Sequence, residues 1–153
     1  MKTFQRLFKT NHSLTPLLVR LTLGIVMFAH GAQLALGWFG GYGYSATMGF
    51  FTQQMHIPAL FAFLAIAAEF AGSIGLIVGA LSRVAAFGIA ATMVVAVLLG
   101  HIGNGFFMNW SGTQKGEGFE YHLLAIALAL VVMINGAGKW SLDGLVARSP
   151  DKS

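Results

Sequence analysis

A carboxyl group in the middle of an apolar run is the first feature of this sequence that needs a chemical explanation. Glu69 interrupts the stretch from Pro58 to Leu81, and a helix rising 1.5 Å per residue places it about 16 Å from the start of that stretch. A charge within hydrocarbon is costly unless it is paired or hydrated, so each such residue marks a candidate site. Arg20 and His30 interrupt a second run, Leu14 to Leu36; His101 closes a third; Glu120 and His122 open a fourth. Carboxyl and imidazole groups held together at low dielectric are suited to moving protons near neutral pH. A relay from Glu69 through His30 is the chemistry these positions suggest. Arg20 approaches from the other side as the counter-charge, either within the site or in an interhelical ion pair with Glu69 that fixes helix register.

Three kinds of ligand suit such a constellation. His30, His101, Glu120 and His122 together offer imidazole and carboxylate to zinc or copper, but no HxxxH or HxxE spacing supports them, and Glu120 and His122, two residues apart, point to different helix faces. His30 and His101 can bracket a haem, without a second histidine pair in support. A quinone needs an apolar slot, aromatic side chains to stack on and one or two hydrogen-bonding proton donors. Here Glu69 and His30 supply the proton relay, and Trp38, Phe39, Trp110 and Tyr121 the wall. Gln33, His101, Glu120 and His122 complete the expected ligand contacts, and no metal site is assigned.

The elements that must position these residues follow from composition. The chain has 153 residues, 56% hydrophobic and 9% charged, whereas a soluble domain carries about a quarter charged residues. So few charges cannot cover a water-facing surface, which excludes a soluble enzyme, a disordered tail and a nucleic-acid binder despite the basic balance. The absence of cysteine removes disulfides, thiolate metal sites and thiol catalysis together. A bilayer core takes about 20 apolar residues of helix. Four windows meet that length, at about 14–36, 58–81, 84–101 and 119–138, so the expectation is a single all-α membrane domain, a four-helix antiparallel bundle. Ser82 and Arg83 join the second and third spans as a tight hairpin, and the outer loops cover 37–57 and 102–118.

Lys and Arg accumulate in cytoplasmic loops. With the amino end inside, Lys2, Arg6, Lys9, Arg83, Lys139, Arg148 and Lys152 lie on the inner side and Lys115 alone on the outer. Both termini are therefore expected in the cytoplasm and the chain in an inner (plasma) membrane. Over Met1 to Thr10, Phe4, Leu7 and Phe8 share one helical face and Lys2, Arg6 and Lys9 the other, the pattern of a short helix on anionic lipid. The first apolar run is longer than a signal-peptide core and contains Arg20, so it reads as a retained span. The tail from Ser141 to Ser153 reads as short, polar and frayed.

The outer loops are rich in glycine and aromatics: Gly37-Trp38-Phe39-Gly40-Gly41-Tyr42-Gly43-Tyr44 and Gly103-Asn104-Gly105-Phe106-Phe107-Met108-Asn109-Trp110. They suit an aromatic belt at the membrane interface or a lid folded over an apolar ligand. Gly41-x-Gly43 has no preceding strand and is not a nucleotide fingerprint.

These residues resemble the DoxX family of small four-helix membrane proteins, including its DoxD-like subunits. The resemblance spans about Leu18 to Asp143. It rests on Arg20-Leu21-Thr22-Leu23-Gly24 with His30-Gly31-Ala32-Gln33 and Gly37-Trp38-Phe39-Gly40-Gly41, and on Glu69-Phe70-Ala71-Gly72 with Gly79 and Arg83. His101, Gly105 to Trp110, Gly116 to His122 and Ser141-Leu142-Asp143 complete it. The resemblance implies a four-helix bundle associated with respiratory or sulfur redox chemistry, DoxD-like members being linked to thiosulfate:quinone oxidoreductase. Thiosulfate itself fits poorly as a substrate, because Lys115 is the only permanent cation on the outer face. The expectation is thus a quinone-interacting membrane subunit of an oxidoreductase, in contact with lipid and with a soluble or membrane redox partner. The alternatives are a non-catalytic anchor or small-solute carrier with a structural Glu69–Arg20 pair, and an outer-face metal site.

Overall fold

The computed structural model describes residues 8–148, and all regular structure among them is helical. In chain order the elements are α1 (Leu14–Leu36), α2 (Gly43–Gly49), α3 (Ala59–Val78), α4 (Ser82–Ala96), α5 (Glu120–Asn135) and α6 (Leu142–Arg148). The segment expected to lie on lipid falls, up to Leu7, outside the described residues, as do Lys2, Arg6 and Lys152 and the tail from Ser149.

α1, α3, α4 and α5 form the bundle. α1 packs most extensively on α3, α4 lies between α3 and α5, and α5 returns to α1. Close approaches give the directions: along α1, Gly24 meets Ser73, Leu76 and Ile77, while Gly31 meets Glu69 and Phe70. Rising numbers on one helix match falling numbers on the other, so the pair is antiparallel. A Cβ on Gly31 would stand 2.5 Å from the Glu69 carbonyl carbon, so only glycine permits this contact. Leu23 and Met27 of α1, Leu76 of α3, Ile89 and Met93 of α4, and Ala129 and Val132 of α5 fill the core. Outside it, Leu18, Phe61, Phe87, Leu98, Leu124 and Ile134 are each at least 60% exposed. Apolar exposure on every bundle helix is what lipid requires of a surface.

Leu14–Leu36, Ala59–Val78 and Ser82–Asn104 are long and apolar enough to cross a membrane. The chain is thus a multi-pass membrane protein. The third span reaches its length because α4 runs on through a π-helical turn, Val97–His101, and a 3-10 turn, Ile102–Asn104. The fourth is shorter than expected. α5 has 16 residues, about 24 Å of helix, and ends at Gly136, whose φ of 78° and ψ of −163° are non-helical. The hairpin also differs: Ser82 and Arg83 begin α4, and the turn falls at Gly79–Leu81. Instead of an open loop, the first outer connection holds a 3-10 turn, Trp38–Gly40, then α2 and a π-helical turn, Phe50–Gln54.

The inner end is where the sequence-based reading needs its largest correction. Arg20 does not pair with Glu69. It is 1% exposed, and its guanidinium donates to five backbone carbonyls: Leu76 (2.6 Å) and Ile77 (2.7 Å) in the last turn of α3, and Ala137 (2.7 Å), Lys139 (3.3 Å) and Trp140 (2.7 Å) beyond α5. The last carbonyls of a helix lack intrahelical partners and carry the negative end of its dipole, so a buried planar cation with five donors is matched to them. Arg83 serves α5 in the same way, donating to Met133, Ile134 and Lys9 carbonyls. The supposedly frayed tail completes the arrangement. Asp143, 2% exposed, accepts from the Leu81 (2.7 Å) and Ser82 (2.9 Å) amides at the start of α4. Leu81 and Trp140 hold left-handed backbone, φ 48° and 49°, a strain of about 1 kcal/mol or more each offset by these bonds.

Removing the guanidinium orphans five carbonyls in a water-poor interior. Arg20→Ala is expected to lower stability in detergent by at least about 3 kcal/mol, and Asp143→Asn by about 1 kcal/mol. Thermal unfolding of the purified variants measures both, and an Arg20→Ala variant melting like the wild type contradicts this role.

Candidate functional site

At the opposite end the four bundle helices and the two long connections enclose an apolar cavity of about 440 Å³. The Gly31 contact sets its floor. It brings Glu69, eleventh of the 20 residues of α3, level with the turn of α1 that carries His30, so both side chains line the same space. Gln33 lies one turn further along α1 and lines it too. The π-helical turn at the end of α4 contributes Leu99, Gly100 and His101. Such turns are rare and often mark functional sites. α5 contributes Tyr121 and His122 from its first turn.

The cavity holds two kinds of polar group. Some are already held by the protein: His101 Nδ1 donates to the Glu117 carbonyl at 2.9 Å, which leaves Nε2 as the ring's acceptor. The Tyr121 hydroxyl donates to Met27 Sδ at 3.3 Å, and the Tyr121 ring packs at 5.4 Å on His30. The His101 and His122 rings lie 4.1 Å apart, centroid to centroid. The others have no partner. Glu69 is 8% exposed, and its carboxyl group makes no hydrogen bond or ion pair among the described residues. His122 is 6% exposed, and its Nδ1 is buried without a partner. Buried polar atoms are almost always bonded; among the described residues the cavity wall carries one orphaned atom, His122 Nδ1, and a Glu69 carboxyl group that no protein group holds, and such a carboxyl beside an apolar space suits a hydrogen-bonding ligand.

Of the sequence-derived candidates, the structure thus brings together Glu69, His30, Gln33, His101, Tyr121 and His122. It does not bring in the others. Arg20 is committed to the inner end. Trp38 and Phe39 are 52% and 65% exposed and pack on each other. Trp110 is 88% exposed. Glu120 turns away from the histidines and accepts from the Met108 amide (3.1 Å) and Trp110 Nε1 (3.3 Å), pinning the second connection. The tryptophans and tyrosines of the two connections are exposed for a simple reason: an indole or a tyrosine ring is most stable at the membrane interface. Among the described residues no three His, Cys, Asp or Glu side chains approach closely enough to hold a metal ion, so the four-ligand outer site is not formed. The two histidines expected to bracket a haem each pack on another ring instead.

Sequence reasoning missed most of the apolar wall. Phe50, Phe51, Met55 and Ile57 come from the first connection, and Met108 and Glu117 from the second. Four of the seven methionines, Met27, Met55, Met93 and Met108, line the cavity. Methionine at positions scattered over separate elements is a usable signal, since its flexible thioether suits adaptable apolar sites.

The fold and site together define a small membrane bundle with an apolar cavity bearing buried acid–base groups near one end. The DoxX family model matches residues 15–102, more than half of the chain, and the protein belongs to the DoxX family. That match takes in Arg20, His30, Gln33, Glu69 and His101. No curated protein and no solved structure matches the chain.

If Glu120 only anchors the second connection, Glu120→Ala is expected to raise the rate of proteolytic cleavage within 102–118 several-fold and to reduce stability by about 1–2 kcal/mol. Unchanged protection of this segment contradicts that role.

Proposed function

We propose that this DoxX protein is a membrane subunit of an oxidoreductase that binds a quinone in the cavity, with Glu69 and His30 exchanging its protons. The observation that carries this reading is the Glu69 carboxyl, held by no hydrogen bond among the described residues and lining, with His30 and His122, an otherwise apolar space of about 440 Å³. A water-soluble ion has little to hold it there, whereas an apolar ring with two carbonyl oxygens needs what is present: a few polar groups from α1, α3 and α5 and soft side chains around them. A quinone supplies two-electron, two-proton chemistry, and its electrons come from a redox partner, since no side chain here carries them.

The residues divide the work by position. Glu69, on the cavity floor, holds a proton against one end of the ring. His30, across from it on α1 and packed on Tyr121, exchanges that proton toward the outer surface. His101 is oriented by the Glu117 carbonyl and its ring sits against His122, so the two histidines form a second polar wall for the ring's other oxygen. Gln33 adds an amide at the rim. Arg20 takes no part, which also removes the pair on which the reading as an anchor with a structural Glu69–Arg20 bridge depended.

Glu69→Gln keeps the size of the side chain and breaks no bond to the protein. The variant is expected to fold and melt as the wild type does while quinone-dependent reduction in membranes falls about a hundredfold; unchanged turnover contradicts the proposal.

The same reading places the protein in a bacterial inner membrane with both termini in the cytoplasm. Lys9, Arg83 and Lys139 gather at the end opposite the cavity, where Arg83 donates to the Lys9 carbonyl and the Lys139 amide to Ser13. Basic residues favour the cytoplasmic side. As the chain has no cysteine, single replacements report orientation cleanly. Lys115→Cys is expected to react with a membrane-impermeant maleimide in spheroplasts, and Lys139→Cys only after permeabilisation; the reverse pattern overturns the orientation.

A further inference from the structure

The cavity adjoins a second apolar space on the lipid side. A shallow apolar trough of about 640 Å³ runs along the outside of the α3–α4 hairpin, and Ile57, Ala65, Thr92 and Val95 line both it and the cavity. The four form the boundary where the two spaces adjoin. Ala65 stands one helical turn before Glu69 on α3, and residues four apart share a helix face, so this boundary lies beside the unpartnered carboxyl group. Small residues cause the trough. Ala68 and Gly72 of α3 meet Gly88 and Ala85 of α4, so the backbones approach closely, while Phe61 and Phe87 stand up at its sides. It extends to Ala80 and Leu81 at the inner turn. α3 alone is about 30 Å long, ample for an alkyl or isoprenoid chain.

We infer that this boundary is a neck through which the quinone enters sideways from the bilayer, and that its hydrocarbon tail lies in the α3–α4 trough while its ring occupies the cavity. This rests on the quinone reading and adds the class of molecule: a long-tailed membrane quinone and not a water-soluble one. The shared wall of trough and cavity favours this occupant, because a chain attached to a ring beside Glu69 reaches the trough across the residues nearest it. The neck has no charged side chain, and its one hydroxyl, Thr92, is already bonded to the Gly88 carbonyl at 3.0 Å.

Ala91 lines the trough but not the cavity and is exposed, so Ala91→Trp fills the trough without touching the ring site or the core. The wild type and variant, in lipid nanodiscs, are titrated with decylubiquinone and with the tailless dimethoxy-methyl-benzoquinone. Expected is a loss of about tenfold in affinity for decylubiquinone with the tailless quinone unchanged. Ala71→Trp, on the facing helix, is expected to do the same and stands in if the first variant does not fold. Leu98→Trp, exposed and outside the trough, is expected to change neither affinity. Unchanged affinity for both quinones, or an equal loss for both, overturns the tail path while leaving the ring site standing. Failure of both quinones to bind the wild type overturns both readings. A change of oligomeric state without a change in decylubiquinone affinity identifies the trough as a self-association face and overturns the inference.

Discussion

The fold depends on how two helices end where there is little water. α3 and α5 both finish at the inner end, and each leaves carbonyls that no later turn can satisfy. The protein answers with arginines carried by other helices: Arg20 of α1 takes the end of α3, and Arg83 of α4 takes the end of α5. Asp143 supplies the converse at the start of α4. Because each cap is borne by a different element from the end it satisfies, the contacts fix the helices to one another along their axes. The register that places Leu76 against Arg20 also places Gly31 against Glu69, and so sets the depth of the cavity floor. Gly79 belongs to this arrangement: with a φ of 72°, it has Ser141 and the Arg20 guanidinium where a side chain would stand, so a larger residue is excluded twice over.

Two classes of buried ionisable group result, and the contrast separates structure from function. Arg20 is surrounded by acceptors and has no unmet hydrogen-bonding demand of consequence. Glu69 and His122, buried as well, face a space the protein leaves open. A desolvated polar atom without a partner is a standing loss of stability: among the described residues His122 Nδ1 is one beside the cavity, and Ser82 Oγ and Arg83 Nε are two more at the inner end, where the helix-end carbonyls themselves are capped. The same economy appears in the connections: Glu120 and Glu117 hold the second one together through its amides, so that Met108 and the His101 ring keep their places.

The fold was legible to the extent that composition and length decide it. Apolar windows gave the four helices and their alternation, since lipid forces long apolar helices whatever the details. Their ends were less legible: the stop at Gly136 and the turn at Gly79–Leu81 depend on backbone angles that hydropathy does not encode. Of the residues that line the cavity, Glu69, His30, His101 and His122 were singled out by one rule, that ionisable groups in hydrocarbon need a reason, and Tyr121 as an aromatic wall for a ligand. The same rule misassigned Arg20, because spacing shows that a charge is buried but not whether a carboxylate or a row of carbonyls satisfies it. Trp38, Phe39 and Trp110 were misplaced because an aromatic near a membrane surface has two stable positions, inward on a ligand or outward in the interface. Phe50 and Phe51 were missed because they lie in a π-helical turn that the sequence does not announce, and the methionines because an apolar residue carries no mark of whether it faces the core, the lipid or a cavity.

The central claim is that the ring of a quinone sits between Glu69 and His122. Photolabelling of the protein in native membranes with an azido-quinone, followed by peptide mapping, tests it most directly. Labelling concentrated on the cavity-facing residues of α4 and α5, around Met93, Leu99 and Tyr121, and suppressed by excess unlabelled quinone, is the predicted result; labelling spread over the lipid-facing surface and indifferent to competitor contradicts the account.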